Sequence, residues 1–371
     1  MRYSIRTFIF LLLTGIVSIS IVCILYRRAG KINAADNDFL RFFPPHFITG
    51  FVASKLPFDL CYVAGYTDSA IYLGKYQSPM NVLKTNYAVS KIQSINLHYD
   101  SMRKVAWSLV KVEVDSPDTY IMEGLSPNII RGNLNNPKNE QIVCSAFNFD
   151  ICIPRFGQSI LIKRFDLQTN SNILEKIVPG QNNHIRLILN PEPGPANMFT
   201  SDGMLNFDRR SGNTIFVYFH SNEFIRLDTN LKVLVKGKTI DTIAHPNIKI
   251  GYIASEHFTT YASPPLVVNR RSCITDRQLF VHSMLRANNQ DHMQFSLSST
   301  IDIYSLLDGR YLLSFYLPKY QKEEIIDFKV HRDKIVAIYH HYIVVYDMAM
   351  PNSAYSAKAS FRDSARALRR P

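Results

Sequence analysis

The segment KIVAIYHHYIVVYDM, Lys334 to Met348, carries two adjacent histidines, His340 and His341. Imidazole is suited both to metal ligation and to proton transfer near neutral pH. Two related segments, TIFVYFHSNEFIRLD (Thr214 to Asp228) and QLFVHS (Gln278 to Ser283), place His220 and His282 where His340 falls, at the end of the same strand in three successive units. Taken together, the three would form a rim of imidazoles. Spacing argues against shared chemistry, because stacked sheets lie about 10 Å apart whereas ligands of one zinc lie about 3–4 Å from one another. Strand alternation also sends His341 to the face opposite His340. The histidines therefore read first as repeat ancestry, with His220, His282 and His340 kept as binding candidates.

An insertion, Met284 to Ser299, interrupts the second of these units and carries Arg286, Asp291 and His292 beside Phe295. Loops grafted on one rim of a rigid repeat are where such folds bind partners. Just before it, Arg270 and Arg271 occupy a first strand, the one nearest the repeat axis, and alternation sends only one to each face. Arg271 facing a channel would suit a small anionic ligand. Cys144 and Cys152 sit in QIVCSAFNFDICIP at a spacing that a hairpin could close into a disulfide. The alternative is that they, with Cys61 and Cys273, are buried apolar thiols. No C-x-x-C, G-x-S-x-G, H-E-x-x-H, phosphate-cradling glycine loop or calcium loop occurs. No catalytic residue is assigned, and neither a metal nor a cofactor is implied.

The elements that must position these residues are strands. Hydrophobic residues make up 46% of the 371 and aromatics 12%, enough for a large core, and β-branched and aromatic residues dominate without helical spacing beyond the N-terminus. The three units share more than a hairpin. MLNFDRRSGN, VVNRRSCITDR and IIDFKVHRD precede them as first strands, and LKVLVKG and RYLLSFYLP follow two of them as fourth strands. A four-strand antiparallel unit of this size must stack on copies of itself. The radial solution is a β-propeller, with a β-sandwich as the alternative. Less regular copies earlier in the chain suggest six blades over 46–350, or seven if His245 to Pro265 forms one. The last unit has no fourth strand of its own, and HFITGFVA, His46 to Ala53, is expected to supply it by pairing with Tyr342 to Met348.

The formal charge of +12 is concentrated at the ends. Residues 1–31 hold five basic residues and no acid, and the serine-, alanine- and arginine-rich 351–371 holds five against one, so the body is near balance. A nucleic-acid partner is not expected, and 351–371 reads as a basic disordered tail. Phe8 to Leu25 is an uncharged run long enough as a helix, at about 27 Å, to cross the hydrocarbon core. It is read as an uncleaved signal anchor rather than a cleaved signal peptide, followed by a linker over 32–45. Basic residues on both flanks leave orientation open. The body is expected outside the cytoplasm in a bacterial envelope, a placement favoured by the absence of any N-x-S/T triplet.

The strand, Asp-turn, strand pattern, best over Met204 to Asp347, resembles the β-propeller superfamily. The layout is similar to uncharacterised membrane-anchored β-propeller-like proteins of Bacteroidetes. With one tryptophan, Trp107, the chain departs from WD40 and quinoprotein patterns. The resemblance carries no functional residues. Two function classes follow: a membrane-tethered interaction, ligand-binding or sensing module with a protein or small anionic partner, or an envelope hydrolase or lyase with its site at the channel mouth. Ionisable groups converging within about 4 Å at that mouth would favour the enzyme.

Overall fold

The computed structural model describes residues 5–32, 38–98, 105–136, 140–144, 147–154, 159–181, 184–189, 196–255, 258–275 and 277–349. A helix, α1 (Ile5–Ile32), opens the chain. Strand β1 (Ile48–Lys55) follows. Six four-stranded antiparallel sheets then make up the body. Blade 1 is β2 (Cys61–Tyr66), β3 (Ile71–Lys75), β4 (Asn81–Thr85) and β5 (Gln93–Asn96). Blade 2 is β6 (Lys111–Asp115), β7 (Asp118–Glu123), β8 (Asn128–Asn133) and β9 (Gln141–Cys144). Blade 3 is β10 (Ile151–Pro154), β11 (Ile160–Asp166), β12 (Ser171–Ile177) and β13 (Ile185–Ile188). After a short helix, α2 (Asn197–Thr200), blade 4 is β14 (Gly203–Phe207), β15 (Thr214–Tyr218), β16 (Glu223–Leu227) and β17 (Val233–Lys238).

A two-stranded hairpin, β18 (Ile250–Ile253) and β19 (Phe258–Tyr261), joins blade 4 to blade 5. Blade 5 is β20 (Asn269–Thr275), β21 (Gln278–Ser283), β22 (Ser298–Ser305) and β23 (Tyr311–Pro318), with α3 (His292–Leu297) between its second and third strands. Blade 6 contains β24 (Asp327–His331), β25 (Lys334–Ile338) and β26 (Tyr342–Met348), and its fourth strand is β1. The fold is a six-bladed β-propeller, and the stretch from His245 to Pro265 is a connection rather than a seventh blade.

Second strands are buried on both faces, which explains why IYLGK, TIFVY and KIVAI read as continuous apolar runs instead of alternating. Among the described residues, six apolar clusters, one between each consecutive pair of blades, form the core of the ring, and a seventh packs Phe39 against Val268, Leu285 and Ala287. Blades 1 and 2 meet through Tyr72, Val82, Val112 and Ile121, and blades 4 and 5 through Val217, Phe224, Leu279 and Tyr304. Blades 5 and 6 meet through Phe280, Ile303, Phe328 and Ile335. Blade 6 then meets blade 1 through Ile338, Val345, Val63 and Leu73, which makes the ring continuous. Gly65 on β2 sits at a close approach between blades, where a Cβ would run into the Val114 carbonyl of β6.

Ring closure is the antiparallel pairing of β1 with β26, from Ile48 opposite Met348 to Lys55 opposite Tyr342. This matches the segment anticipated from the unfinished last unit. Side chains along this segment do not alternate evenly. A bulge between Ile48 and Gly50 shifts the register, so Phe47 is buried and stacks on Phe315 at 4.6 Å between ring centres, while Phe51 is 57% exposed. Residues 38–45, within the segment read as a linker, pack on blade 5. The Ser314 amide donates to the Phe42 carbonyl at 2.8 Å, and Phe43 stacks on Tyr316 at 4.4 Å. Arg41 is fully buried, its Nε 2.7 Å from Asp302 Oδ1 and its Nη2 2.9 Å from Asp302 Oδ2. It also donates to the Leu285 carbonyl and to Ser283 Oγ.

Among the described residues no helix is long and apolar enough to cross a membrane. The side chains described on α1, from Ile9 to Ile24, are all exposed. The tail 351–371 lies outside the described residues.

These contacts set two stability differences measurable by urea unfolding. Phe47→Ala should cost ~3–5 kcal/mol, whereas Phe51→Ala should stay within ~1 kcal/mol; equal losses would mean the bulge is misplaced. Arg41→Ala should cost ~3–5 kcal/mol, because it leaves the Asp302 carboxylate buried without its partner.

Candidate functional site

The first strands β2, β6, β10, β14, β20 and β24 lie side by side around the axis and enclose a channel of about 1170 Å³. Every blade contributes to its wall, but the chemistry is concentrated on three strands. From β24 come Asp327 and Lys329, from β20 Arg271 and Cys273, and from β6 Glu113. On β24, Asp327, Lys329 and His331 are half-buried and line the channel while Phe328 and Val330 are buried. Period-two alternation accounts for this division.

Arg271 reaches the channel for a different reason. A bulge between Asn269 and Arg271 inserts one extra residue into β20, and the two arginines part company. Arg270 turns toward Glu324, 3.6 Å away. Arg271 lines the channel, with its Nε donating to the Ile326 carbonyl at 2.9 Å and one Nη to the Arg270 carbonyl at 3.1 Å. Of the pair, Arg271 lines the cavity, and the bulge accounts for which of the two does so.

Most other charges in the wall are already paired. Arg164 is held by Glu175 at 2.6 Å and Asp166 at 2.9 Å, Arg209 by Asp115, and Asp150 by Lys163 at 2.9 Å. At one mouth Asp68 binds His331 at 3.0 Å and Arg332 at 2.6 Å. Among the described residues, neither Arg271 nor Lys329 has a carboxylate within 4 Å. Asp327 accepts instead from the Val63 amide at 3.0 Å.

The electrostatics follow from this spacing. Burial raises the Glu113 carboxyl to about 7, with Lys329, Arg209 and Lys111 offsetting part of the effect. Burial works against the Lys329 ammonium, but Asp327, with Cys273, Tyr66 and Glu113, holds its pKa above the ordinary value. The Cys273 thiol, pushed up to about 12 by burial, is inert as a nucleophile at neutral pH. Ser272 is engaged by Asn206, whose side-chain amide donates to its hydroxyl at 2.7 Å. The channel is thus polar and charged, but among the described residues it holds no nucleophile and base within hydrogen-bond reach.

The remaining candidates fall in separate places. His220 is buried, with Nδ1 2.8 Å from the Leu266 carbonyl. His282 is buried in β21, and burial, with Arg270 and Arg271 nearby, lowers its pKa to about 3. These two and His340 are not brought together. In the insertion, Arg286 donates to the Gln290 carbonyl at 2.8 Å, Asp291 caps α3 by accepting from the Gln294 amide at 2.8 Å, and His292 is exposed. That insertion builds part of the Arg41 pocket, since Leu285 and Gln290 both accept from the guanidinium. Cys144 ends β9, the outermost strand of blade 2, and Cys152 lies on β10, the innermost of blade 3, so no hairpin joins them. The side chain of Cys144, and with it the proposed pairing, lies outside the described residues.

One expectation is overturned. His340 and His341 occupy a tight turn between β25 and β26, closed by the Tyr339 amide donating to the Tyr342 carbonyl at 2.8 Å. Strand alternation does not apply to turn residues, and His340 Nδ1 lies 3.1 Å from His341 Nε2. His341 Nδ1 is 2.5 Å from Glu323 Oε1, and its Nε2 is 3.5 Å from Asp59 Oδ1. Asp59, Glu113, Glu323, Asp327 and Lys329 were not singled out by the sequence. Glu113 and Lys329 do carry a signal, as charges placed within the apolar alternation of KVEVD and DFKVH.

No family model matches the chain, and no curated protein matches it. Among solved structures, the chain is similar to a member of the DUF4221 family from Bacteroides vulgatus, at 10% identity and a TM-score of 0.50, covering 82% of this chain and 98% of that one. It is also similar to regucalcin, a calcium-binding protein from Agrobacterium tumefaciens, at 10% identity and a TM-score of 0.47, covering 81% and 93%. A chain of a nidogen/laminin complex gives 10% identity and a TM-score of 0.40, covering 70% and 80%. At these identities the likeness to the Bacteroides protein shows the β-propeller fold and nothing finer.

The Glu113 environment makes stability depend on pH in a definite direction. Its folded pKa lies above the unfolded value, so the folded state binds more protons between about 4.5 and 7 and loses stability as pH rises through that window. Glu113→Gln should therefore be more stable than the parent by ~1–3 kcal/mol at pH 8, with the difference vanishing near pH 4. A difference independent of pH would place Glu113 in water rather than in the wall.

Proposed function

We propose that the protein is a membrane-tethered β-propeller that binds a small anionic ligand in its axial channel and serves as a binding or sensing module of the cell envelope. The observation that carries this reading is the pair of cations in the channel wall, Arg271 and Lys329, neither with a carboxylate within 4 Å among the described residues. Two backbone carbonyls fix the Arg271 guanidinium while leaving part of its donor fork for a carboxylate or phosphate group. Lys329 supplies a second point charge on the neighbouring first strand. A channel of about 1170 Å³ has room for a ligand of metabolite size.

The hydrolase or lyase alternative has one observation in its favour, Asp68 meeting His331 at 3.0 Å and Arg332 at 2.6 Å at one mouth, but among the described residues no nucleophile stands beside them. Ser272 is hydrogen-bonded to Asn206, the Cys273 thiol is held protonated, and Glu113 stands alone. Although no described helix is long and apolar enough to cross a membrane, the uncharged run Phe8 to Leu25 and the exposed apolar side chains of α1, including Phe10, Leu11 and Ile19, favour a membrane tether. The propeller would then stand outside the cytoplasm.

Thermal unfolding and calorimetry against a panel of mono- and dicarboxylates, sugar phosphates and inorganic phosphate test the ligand. At least one anion should raise the melting temperature, and Arg271→Gln or Lys329→Met should weaken it at least tenfold, the scale of a lost charge-assisted hydrogen bond. Binding should strengthen from pH 8 to pH 6, because Glu113 loses its charge as pH falls through about 7 and the channel becomes more positive. No response to any anion, or an unchanged response in both variants, would remove the channel as the site. For the tether, the full chain should stay with membranes through carbonate extraction, and alkaline phosphatase fused after residue 350 should be active; a chain beginning at Asp38 should be released.

A further inference from the structure

The turn that closes blade 6 assembles a set of side chains outside the axial channel. His340, His341 and Asp59 each place a ligand-type atom so that all three lie within 4.8 Å of one another. The distances are 3.1 Å between His340 Nδ1 and His341 Nε2, and 3.5 Å between His341 Nε2 and Asp59 Oδ1. Ligand atoms about 2.0–2.1 Å from a tetrahedral ion stand about 3.3 Å apart, and the two observed separations bracket that value. We propose that Asp59, His340 and His341 bind a divalent first-row transition ion of the zinc type.

The arrangement behind the triad supports the assignment. Glu323 takes two donors from His341: its Oε2 accepts from the backbone amide at 2.9 Å, and its Oε1 lies 2.5 Å from Nδ1. A carboxylate there accepts Nδ1–H, which selects the tautomer with a lone pair on Nε2, the atom that faces His340 and Asp59. A carboxylate behind a ligating histidine orients the ring and raises its basicity. Without an ion, the short contact between two ring nitrogens requires a proton on one of them. A bound ion would replace that proton and take the lone pairs of both rings. Two nitrogens and one carboxylate oxygen leave a fourth position for water, and this donor set suits zinc, cobalt and nickel better than calcium or magnesium.

The site also has a definite place in the fold. Asp59 lies in the connection from β1 to β2, the histidines in the turn between β25 and β26, and Glu323 in the connection from blade 5 to blade 6. The Leu56 amide already donates to the His341 carbonyl at 2.7 Å. An ion would therefore tie the segment that follows the closing strand to the blade it completes, and act as a clasp on the ring.

Calorimetry with zinc sulfate on the full chain, chelator-treated and free of any histidine tag, tests the proposal. One zinc per chain should bind with a micromolar or tighter Kd, and the melting temperature should rise with free zinc. His340→Ala and Asp59→Asn should each weaken binding at least tenfold and abolish the thermal response; His292→Ala, on an exposed histidine elsewhere, should change neither. Cobalt should give the visible absorption of a four-coordinate ion in the parent and not in His340→Ala. Among the described residues the His340 side chain hydrogen-bonds only to His341, so its variant remains interpretable if a His341 variant fails to fold. No zinc uptake at 100 µM, or uptake undiminished in His340→Ala, would overturn the site; uptake without a rise in melting temperature would overturn the clasp.

Discussion

The edge of strand β26 is the constraint on which the rest of the structure depends. A ring of four-stranded blades brings the last blade beside the first, and blade 6 reaches that position with only three strands taken from its own stretch of chain. Unpaired, the amides and carbonyls of Tyr342 to Met348 would form an open edge able to recruit another chain. Strand β1 covers it, and because β1 leads through residues 56–60 into blade 1, the hydrogen bonds that finish blade 6 also fix where blade 1 begins. The apolar cluster that joins the two blades includes Leu56 of that connection beside Ile338 and Val345. Closure is thus a backbone event and a packing event at once.

Before β1 enters the last blade it is aimed by a charge. Arg41 enters blade 5 far from any neighbour in sequence, and meets Asp302, Ser283, Gln290 and the Leu285 carbonyl. A buried ion pair of this kind contributes little net stability against an apolar replacement, since both ions lose their hydration. It does discriminate between arrangements, because any other path for residues 38–45 would leave Asp302 buried with no cation. The irregular insertion in blade 5 is explained by the same contact. Met284 to Ser299 interrupts the repeat to supply part of the Arg41 cradle, and two of the polar residues that made it look like a binding loop are used internally, Asp291 as a helix cap and Arg286 on the Gln290 carbonyl, while His292 is exposed.

What could be read in the sequence, and what could not, divides along physical lines. Second and third strands are buried on both faces, so TIFVY, KIVAI and YIVVYDM announce themselves, and the missing fourth strand of the last unit points to His46 to Ala53. Outer strands are half in water and carry weak patterns. QSIN of β5 and QIVC of β9, which finish blades 1 and 2, therefore give little sign of where those blades end. Turns hid more. Strand alternation separates the histidine pair, but a turn obeys a different geometry. Asp59 and Glu323, distant in sequence from that pair, carry no local signal at all. Arg271 was legible as one of two arginines on a first strand, but the bulge that chooses between them was not.

The axial channel shows why those first strands are where chemistry can sit. Second and third strands are packed between neighbouring sheets, and a charge there would need a partner. First strands border the space the ring leaves at its centre, where a side chain can be withdrawn from bulk water without touching an opposing wall. Lys329 occupies that situation, with its charge favoured by Asp327 but not bonded to it. A methionine of similar length would fill the same volume and avoid the loss of hydration, so the ammonium adds nothing to the fold that an apolar chain would not. The contribution left to it is the field it places in the channel. Arg271 reinforces that field from the next blade, and Glu113 opposes it by an amount that falls as the carboxyl protonates near pH 7. The physical content of the channel is therefore a set of withdrawn charges whose balance moves toward positive as Glu113 protonates, held in place by a ring that strand β1 closes.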